Sequence, residues 1–256
     1  MTKNLSVHIE GLTVTVGDKI ILNDISFVLP KGRITAVVGE SGSGKTTLSL
    51  SLLGLLAPSM RQQAKVLMIN NQDLLNASQQ QMQKIRGQEV GMVFQEPLAA
   101  FDPLFTIGYH LTETLKTHLD LTPPAFKERI NAILTLVGLA GVDNILKRYP
   151  HQLSGGQRQR AMMALACVCH PSLLIADEPT SSLDYDLQEH IIDAFRHLNQ
   201  QLKMSLLIVT HDLSVVSALA ENIIVLKEGI IVESGRVVDV MKHPKHPYTK
   251  RLIEAS

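Results

Sequence analysis

Between Ser6 and Leu29 apolar residues recur at short intervals on either side of Gly17-Asp18, which predicts two β segments joined by a turn. The next run, Ile34-Thr35-Ala36-Val37-Val38, does not alternate, as expected of a strand covered on both faces. Leu173–Ala176 and Leu206–Val209 have the same unbroken character and predict further parallel strands. Val66–Ile69 is a short strand closed by Asn70-Asn71, and Gly91–Phe94 is another that delivers Gln95. Ile223–Lys227 and Ile230–Glu233 flank Glu228-Gly229 and predict a hairpin. Between Glu96 and Ser154 the apolar spacing changes to helical period: one helix is expected over Ile107–Leu119 and another from Pro123-Pro124 through Val137. Further helices are expected from Lys45 to near Leu56-Ala57-Pro58, over Arg158–Cys169, and at Tyr248–Ala255. The pattern is that of an α/β domain with a helical insertion at about residues 96–168, without internal repeat, low-complexity tract or long linker.

The junction after the first unbroken run carries the chemistry. Gly39-Glu40-Ser41-Gly42-Ser43-Gly44-Lys45-Thr46, followed by Thr47, stands between a buried strand and a helix, the context a phosphate-binding loop requires. The glycines let backbone N–H groups converge on an anion, and the helix N-terminus adds unpaired donors and partial positive charge. Lys45 is placed to reach β- and γ-phosphates, and the Thr46 hydroxyl to coordinate Mg²⁺.

Composition narrows the setting. The 256 residues are 45% hydrophobic and 19% charged, enough for a sizeable core. A formal net charge of zero gives no basic face, so nucleic acid is not a favoured partner. Cys167 and Cys169, two apart in an apolar run, make neither a disulfide framework nor a metal site, and are expected as core thiols. Met1-Thr2-Lys3-Asn4 lacks the apolar core of a signal peptide, and no apolar run approaches the roughly 18 residues of a membrane-spanning helix. The expectation is a cytosolic chain able to dock on a membrane complex.

A second cluster completes the first. Leu173–Ala176 leads into Asp177-Glu178, placing two carboxylates at a strand end, where ligands bind in doubly wound sheets. Asp177 suits the Mg²⁺ shell, and Glu178 suits a general base acting on water. Ser154, followed by Gly155-Gly156-Gln157, suits a helix N-cap and makes a second anion site. One chain cannot easily fold both anion sites onto a single triphosphate, whereas a second copy or homologue could supply one across an interface. Gln95, His211 and Ser182-Leu183-Asp184 would each pass singly as polar surface or structural residues.

Taken in order, these segments resemble the ATP-binding-cassette ATPases over nearly the whole chain. Gly39–Thr46 resembles the Walker A motif, Gln95 the Q-loop, Leu153–Gln157 the signature, and Leu173–Asp177 with Glu178 the Walker B motif and catalytic glutamate. Ser182–Asp184 is similar to the D-loop and His211 to the switch histidine. The resemblance implies a single nucleotide-binding domain over residues 1–256, with a RecA-like core, an antiparallel β subdomain and a helical subdomain. It implies ATP and Mg²⁺ as cofactors, with Thr46, Gln95 and Asp177 as metal ligands, and a head-to-tail dimer in which the signature acts in trans. One departure stands out. The family often stacks an aromatic residue on adenine from the first β segment, and Thr13-Val14-Thr15-Val16-Gly17 has none. Modest nucleotide affinity and weak base selectivity are therefore expected.

Within the family, Gln95-Glu96-Pro97, Phe101-Asp102-Pro103-Leu104 and His243-Pro244-Lys245-His246-Pro247-Tyr248-Thr249 resemble the peptide/opine/nickel uptake branch. Met60-Arg61-Gln62-Gln63 and the short length look most like nickel-import subunits, with di- or oligopeptide import as the alternative. An ABC ATPase acting on ribosomes or DNA is the competing class, disfavoured by neutral charge, a single cassette and the uptake-type His243–Thr249 segment. The chain ends soon after the last hairpin, so no long appended regulatory domain is expected. His243 and His246 are read as a solvated segment rather than metal ligands. The branch implies a second, different ATPase subunit, two permeases meeting the surface near Gln95–Leu104, an external solute-binding protein, and a peripheral position on the cytoplasmic face of a bacterial membrane.

Overall fold

The structure is a computed structural model describing residues 4–181 and 183–255, with Tyr185 as backbone only. The chain forms two compact units, one from the described parts of Met1–Gln83 and Ser205–Ser256, the other from Lys84–Met204.

The first unit begins with two long antiparallel strands, β1 (Leu5–Val16) and β2 (Lys19–Pro30), joined at Gly17. The buried positions of β1 shift phase, from Val7 and Ile9 to Leu12 and Val14. Strict alternation would turn Leu12 outward. A bulge at Gly11, whose φ of 66° no β-branched residue would adopt cheaply, restores the inward face. Three shorter strands, β4 (Met60–Gln63), β5 (Val66–Ile69) and β6 (Gln72–Asp73), extend this sheet: β4 pairs with Thr13–Val16, β5 with Val7–Glu10, and β6 with β5. Asn70 and Asn71 make the β5–β6 turn with positive φ, as expected.

The unit's parallel strands are β3 (Ile34–Val38), β9 (Ser205–Thr210) and β10 (Asn222–Lys227), with β11 (Ile230–Arg236) antiparallel on β10. All five β3 residues are buried, as their unbroken apolar run predicts. Helices α1 (Lys45–Leu53), α7 (Leu213–Leu219), α8 (Val237–Lys242) and α9 (Pro247–Glu254) belong to the same unit. Helix α1 stops short of the expected Leu56-Ala57-Pro58. Gly54 takes the left-handed conformation at φ 59° and its N–H bonds Leu50 and Ser51 carbonyls, which closes the helix.

In the second unit β7 (Val90–Val93) and β8 (Leu173–Asp177) run parallel, and β8 is wholly buried. The unit's helices are α3 (Ile107–His118), α4 (Pro123–Leu136), α5 (Gly155–Cys167) and α6 (Tyr185–Leu202), and it begins at Lys84, the last residue of α2 (Gln79–Lys84). Ile107, Leu111 and Leu115 form the buried stripe of α3, and α5 buries Ala161, Met162, Met163, Ala164 and Cys167. Both cysteines are buried and free, and burial raises their thiol pKa values, that of Cys169 to about 11. Strands β4 and β6 and helices α2, α6, α7 and α8 go beyond the expected elements.

Candidate nucleotide site

The phosphate loop leaves β3 at Gly39, where space is set by backbone. A Cβ there would lie 2.1 Å from the Leu226 carbonyl oxygen and 2.7 Å from Ser43 Oγ, so no larger residue fits. Gly44 caps α1 at φ 105°, and its missing Cβ would sit 2.6 Å from Leu22. At Gly42, φ 80°, nothing approaches within 4 Å, leaving that stretch of backbone open. The ammonium of Lys45, a residue 7% exposed, donates to Gly39 O at 2.7 Å and Glu40 O at 3.0 Å, folding the loop around its charge. Ser43 donates its N–H to Glu40 O, and its carbonyl accepts Gly229 N–H at 3.0 Å from the β10–β11 turn.

Ser43 Oγ is buried and bonds no described residue. An unmatched buried hydroxyl, an ammonium held within the loop, and exposed Ser41, Gly42 and Thr46 fit a polyphosphate and its Mg²⁺. Thr47 is half-buried one position further into the helix. His211 follows β9, whose Thr210 pairs with Val38, so the loop and this exposed histidine leave the same ends of adjacent parallel strands.

The second unit holds the other set. Val93 of β7 pairs with Ala176 of β8, so exposed Gln95 and the Asp177-Glu178 pair leave adjacent strand ends together. Asp177 is 5% exposed, whereas Glu178 is half-buried and has φ 47°, a left-handed backbone that a non-glycine residue adopts at a cost on the order of 1 kcal/mol. Ser181 secures this turn: its N–H and hydroxyl both donate to Glu178 O. Ser154 caps α5 as expected, accepting Gln157 N–H while Gln157 Oε1 accepts Ser154 N–H. Gly156 packs on Leu187, where a Cβ would lie 3.0 Å from Cδ2, and Gly155 is open. Asp184 caps α6 by accepting Leu187 N–H at 2.9 Å; Ser182 lies outside the described residues.

The structure adds three residues to these sets. Gln159, 1% exposed in α5, donates to Pro179 O at 2.7 Å and so ties the signature helix to the turn after Glu178. A buried glutamine inside an apolar helix face was the available signal, since it must find a partner. Gly229 braces the phosphate loop from the hairpin. Tyr248 accepts Glu40 N–H at 2.9 Å. Of the segment expected to be solvated, His243 is exposed, whereas His246 is half-buried and tied into the fold. Glu233 accepts the N–H groups of Lys245 and His246, His246 Nδ1 accepts Tyr248 N–H, and Tyr248 is 2% exposed. No metal-binding cluster of His, Cys, Asp or Glu occurs among the described residues.

Residues 22–181 match the ABC transporter family. The chain belongs to that family. As an ABC ATPase it binds ATP, and its fold is that of the ABC nucleotide-binding domain. The dipeptide transport ATP-binding protein DppD of Haemophilus influenzae is 41% identical over 253 residues, 97% of this chain and 77% of that one. The oligopeptide transport ATP-binding protein AppD of Bacillus subtilis is 41% identical over 236 residues, 91% of this chain and 71% of that one. A dimeric structure of the ATP-binding cassette MJ0796, bound to ADP and Pi, superposes with TM-score 0.78 at 27% identity, covering 90% of this chain and 98% of that one. These relatives favour the peptide alternative and lend nothing to nickel. Among the described residues no helix is long and apolar enough to cross a membrane.

Proposed function

We propose that this ABC ATPase energises a membrane importer of dipeptides or oligopeptides. The carrying observation is 41% identity to a dipeptide transport subunit over 97% of the chain. Residues 39–47 would hold the polyphosphate, with Thr46 the Mg²⁺ ligand of the first unit and Gln95 and Asp177 the candidate ligands of the second. Bound MgATP supplies the phosphoanhydride bond whose cleavage drives the cycle. Glu178 takes a proton from the attacking water, a role worth ~10²–10⁴-fold in rate, and His211 steadies the departing phosphoryl charge. Ser154, Gly155, Gly156 and Gln157, with Asp184 capping the helix whose Leu187 lies against Gly156, serve the nucleotide of a second ATPase subunit in trans, a reading supported by the dimer formed by a similar cassette.

The rest of the assembly is two permeases and an external binding protein, with this chain peripheral on the cytoplasmic face of the membrane. The permease surface is read at residues 96–105 and the adjoining face of α3, within a helical insertion at about 96–168. There Leu98, Leu104, Phe105 and Tyr109 are exposed, and the Phe105 and Tyr109 rings stack with centroids 4.2 Å apart. Exposed aromatic rings suit the apolar side of a docking helix. Deleting the gene and measuring uptake of labelled di- and oligopeptides beside cellular nickel, cobalt and zinc tests the reading. Lost peptide uptake with unchanged metals is expected. A fall in one metal with peptide uptake intact would return the chain to the metal branch, and co-sedimentation with ribosomes would favour the competing class.

A further inference from the structure

Within the first unit one peptide of the phosphate loop is pinned at both ends. The Gly39 carbonyl accepts from Lys45 Nζ at 2.7 Å, and the N–H of the same peptide, on Glu40, donates to Tyr248 Oη at 2.9 Å. Lys45 belongs to the phosphate machinery; Tyr248 lies more than two hundred residues away on α9. The tyrosine is held firmly enough to act as an anchor. Its ring packs in the cluster that includes Ala36 and Val38 of β3, and Lys227 Nζ lies 5.5 Å from the ring centroid. The entry of α9 is fixed in turn by the Glu233 carboxylate, which accepts from Lys245 N–H at 2.9 Å and His246 N–H at 3.0 Å.

A loop that binds anions through backbone N–H groups depends on the orientation of its peptides. We propose that Tyr248 is a positioning residue for the phosphate loop: its hydroxyl fixes the Gly39–Glu40 peptide, so that docking of the 243–254 segment and binding of nucleotide reinforce each other. Tyr248 acts through Glu40. By linkage, whatever loosens the segment weakens nucleotide binding by the same factor that nucleotide tightens the segment. The inference rests on nucleotide binding by this loop.

The test is Tyr248→Phe in the full chain, which keeps the ring and removes one hydroxyl. Losing one neutral hydrogen bond should weaken MgATP and MgADP binding about two- to tenfold, raise KM for ATP more than it changes kcat, and speed amide exchange at Glu40. Glu233→Gln, which loosens the clamp without touching the loop, should shift affinity in the same direction by less. Unchanged affinity in Tyr248→Phe overturns the proposal, whether or not thermal stability falls, because packing alone would then be its role. A wild-type chain that bound neither nucleotide would overturn the reading of the loop itself.

Discussion

The two units hold their chemical residues in different ways. In the first, the phosphate loop is braced by the lysine inside it, by the Gly229 N–H and by the Tyr248 hydroxyl. Its Gly39 is set against backbone, where a Cβ would lie 2.1 Å from the Leu226 carbonyl oxygen. In the second, Glu178 stands on a left-handed turn secured by Ser181 and, through Pro179, by Gln159. The first arrangement suits a rigid surface for an anion. The second stores local strain at the residue expected to handle the proton, as reactive positions often do. The phosphate loop and the proposed general base thus stand in different units, and the effects of mutating the two should be separable.

The largest expected effect tests that separation. Glu178→Gln should retain ATP binding while lowering turnover ~10²–10⁴-fold, since the amide cannot take the proton. Phosphate release measured beside nucleotide affinity gives both numbers. Turnover at the wild-type rate would remove Glu178 from the general-base role, and equal losses in both would break the division between units.

A smaller effect concerns base recognition on the first unit. Val16 is half-buried at the end of β1, opposite Met60 of β4, and no aromatic side chain occupies that stretch of β1. ATP and GTP should bind within a few-fold of each other. Val16→Phe should tighten both, by no more than the ~1–3 kcal/mol that aromatic–base stacking yields elsewhere. Strong preference of the wild-type chain for ATP would show that another residue supplies the contact.

The motifs of both units were legible because each is a short, local solution to a local problem. A glycine-rich turn between a buried strand and a helix, a capping serine with Gln157 three residues on, and carboxylates ending an unbroken apolar run all declare themselves in sequence. The braces were not, because they are long-range. Nothing near Glu40 announces Tyr248, and nothing near Ser43 announces Gly229. Strand β4 was hidden for a related reason: Met60-Arg61-Gln62-Gln63 has no apolar alternation, and pairing with Thr13–Val16 supplies what its sequence lacks. Helix α6 was legible in principle, since buried Ile191, Phe195 and Leu198 fall at helical spacing. The solute branch lay beyond site chemistry altogether, since the residues read for nucleotide chemistry carry no information on a transported solute.

The smallest expected effect separates the units by pH. In the second unit His170 ends the turn after α5, and burial of its ring, with the Arg129 guanidinium adding to it, pushes the imidazole down to about 4. An unfolded histidine titrates near 6.5. Below about 6.5 the unfolded chain therefore takes up a proton that the folded chain refuses, so this contribution to stability is full above that pH and is lost as pH falls toward about 4. In the first unit, burial alone would raise the Glu233 carboxyl, but the His246 and Lys245 N–H groups outweigh it and hold the group below its ordinary value. That contribution is present above the usual carboxylate range and is lost only as pH falls through the lowered pKa. Because His170 is exposed as a whole residue, solvent screens the effect and the change should be modest. Denaturation midpoints at pH 7 and pH 5 should differ more in the wild-type chain than in His170→Asn, which keeps a residue tolerant of φ 56° and removes the titrating ring. Equal pH dependence in the two would mean that other histidines carry the acid sensitivity, and the contrast between the units would then rest on the braces around the phosphate loop and the Glu178 turn alone.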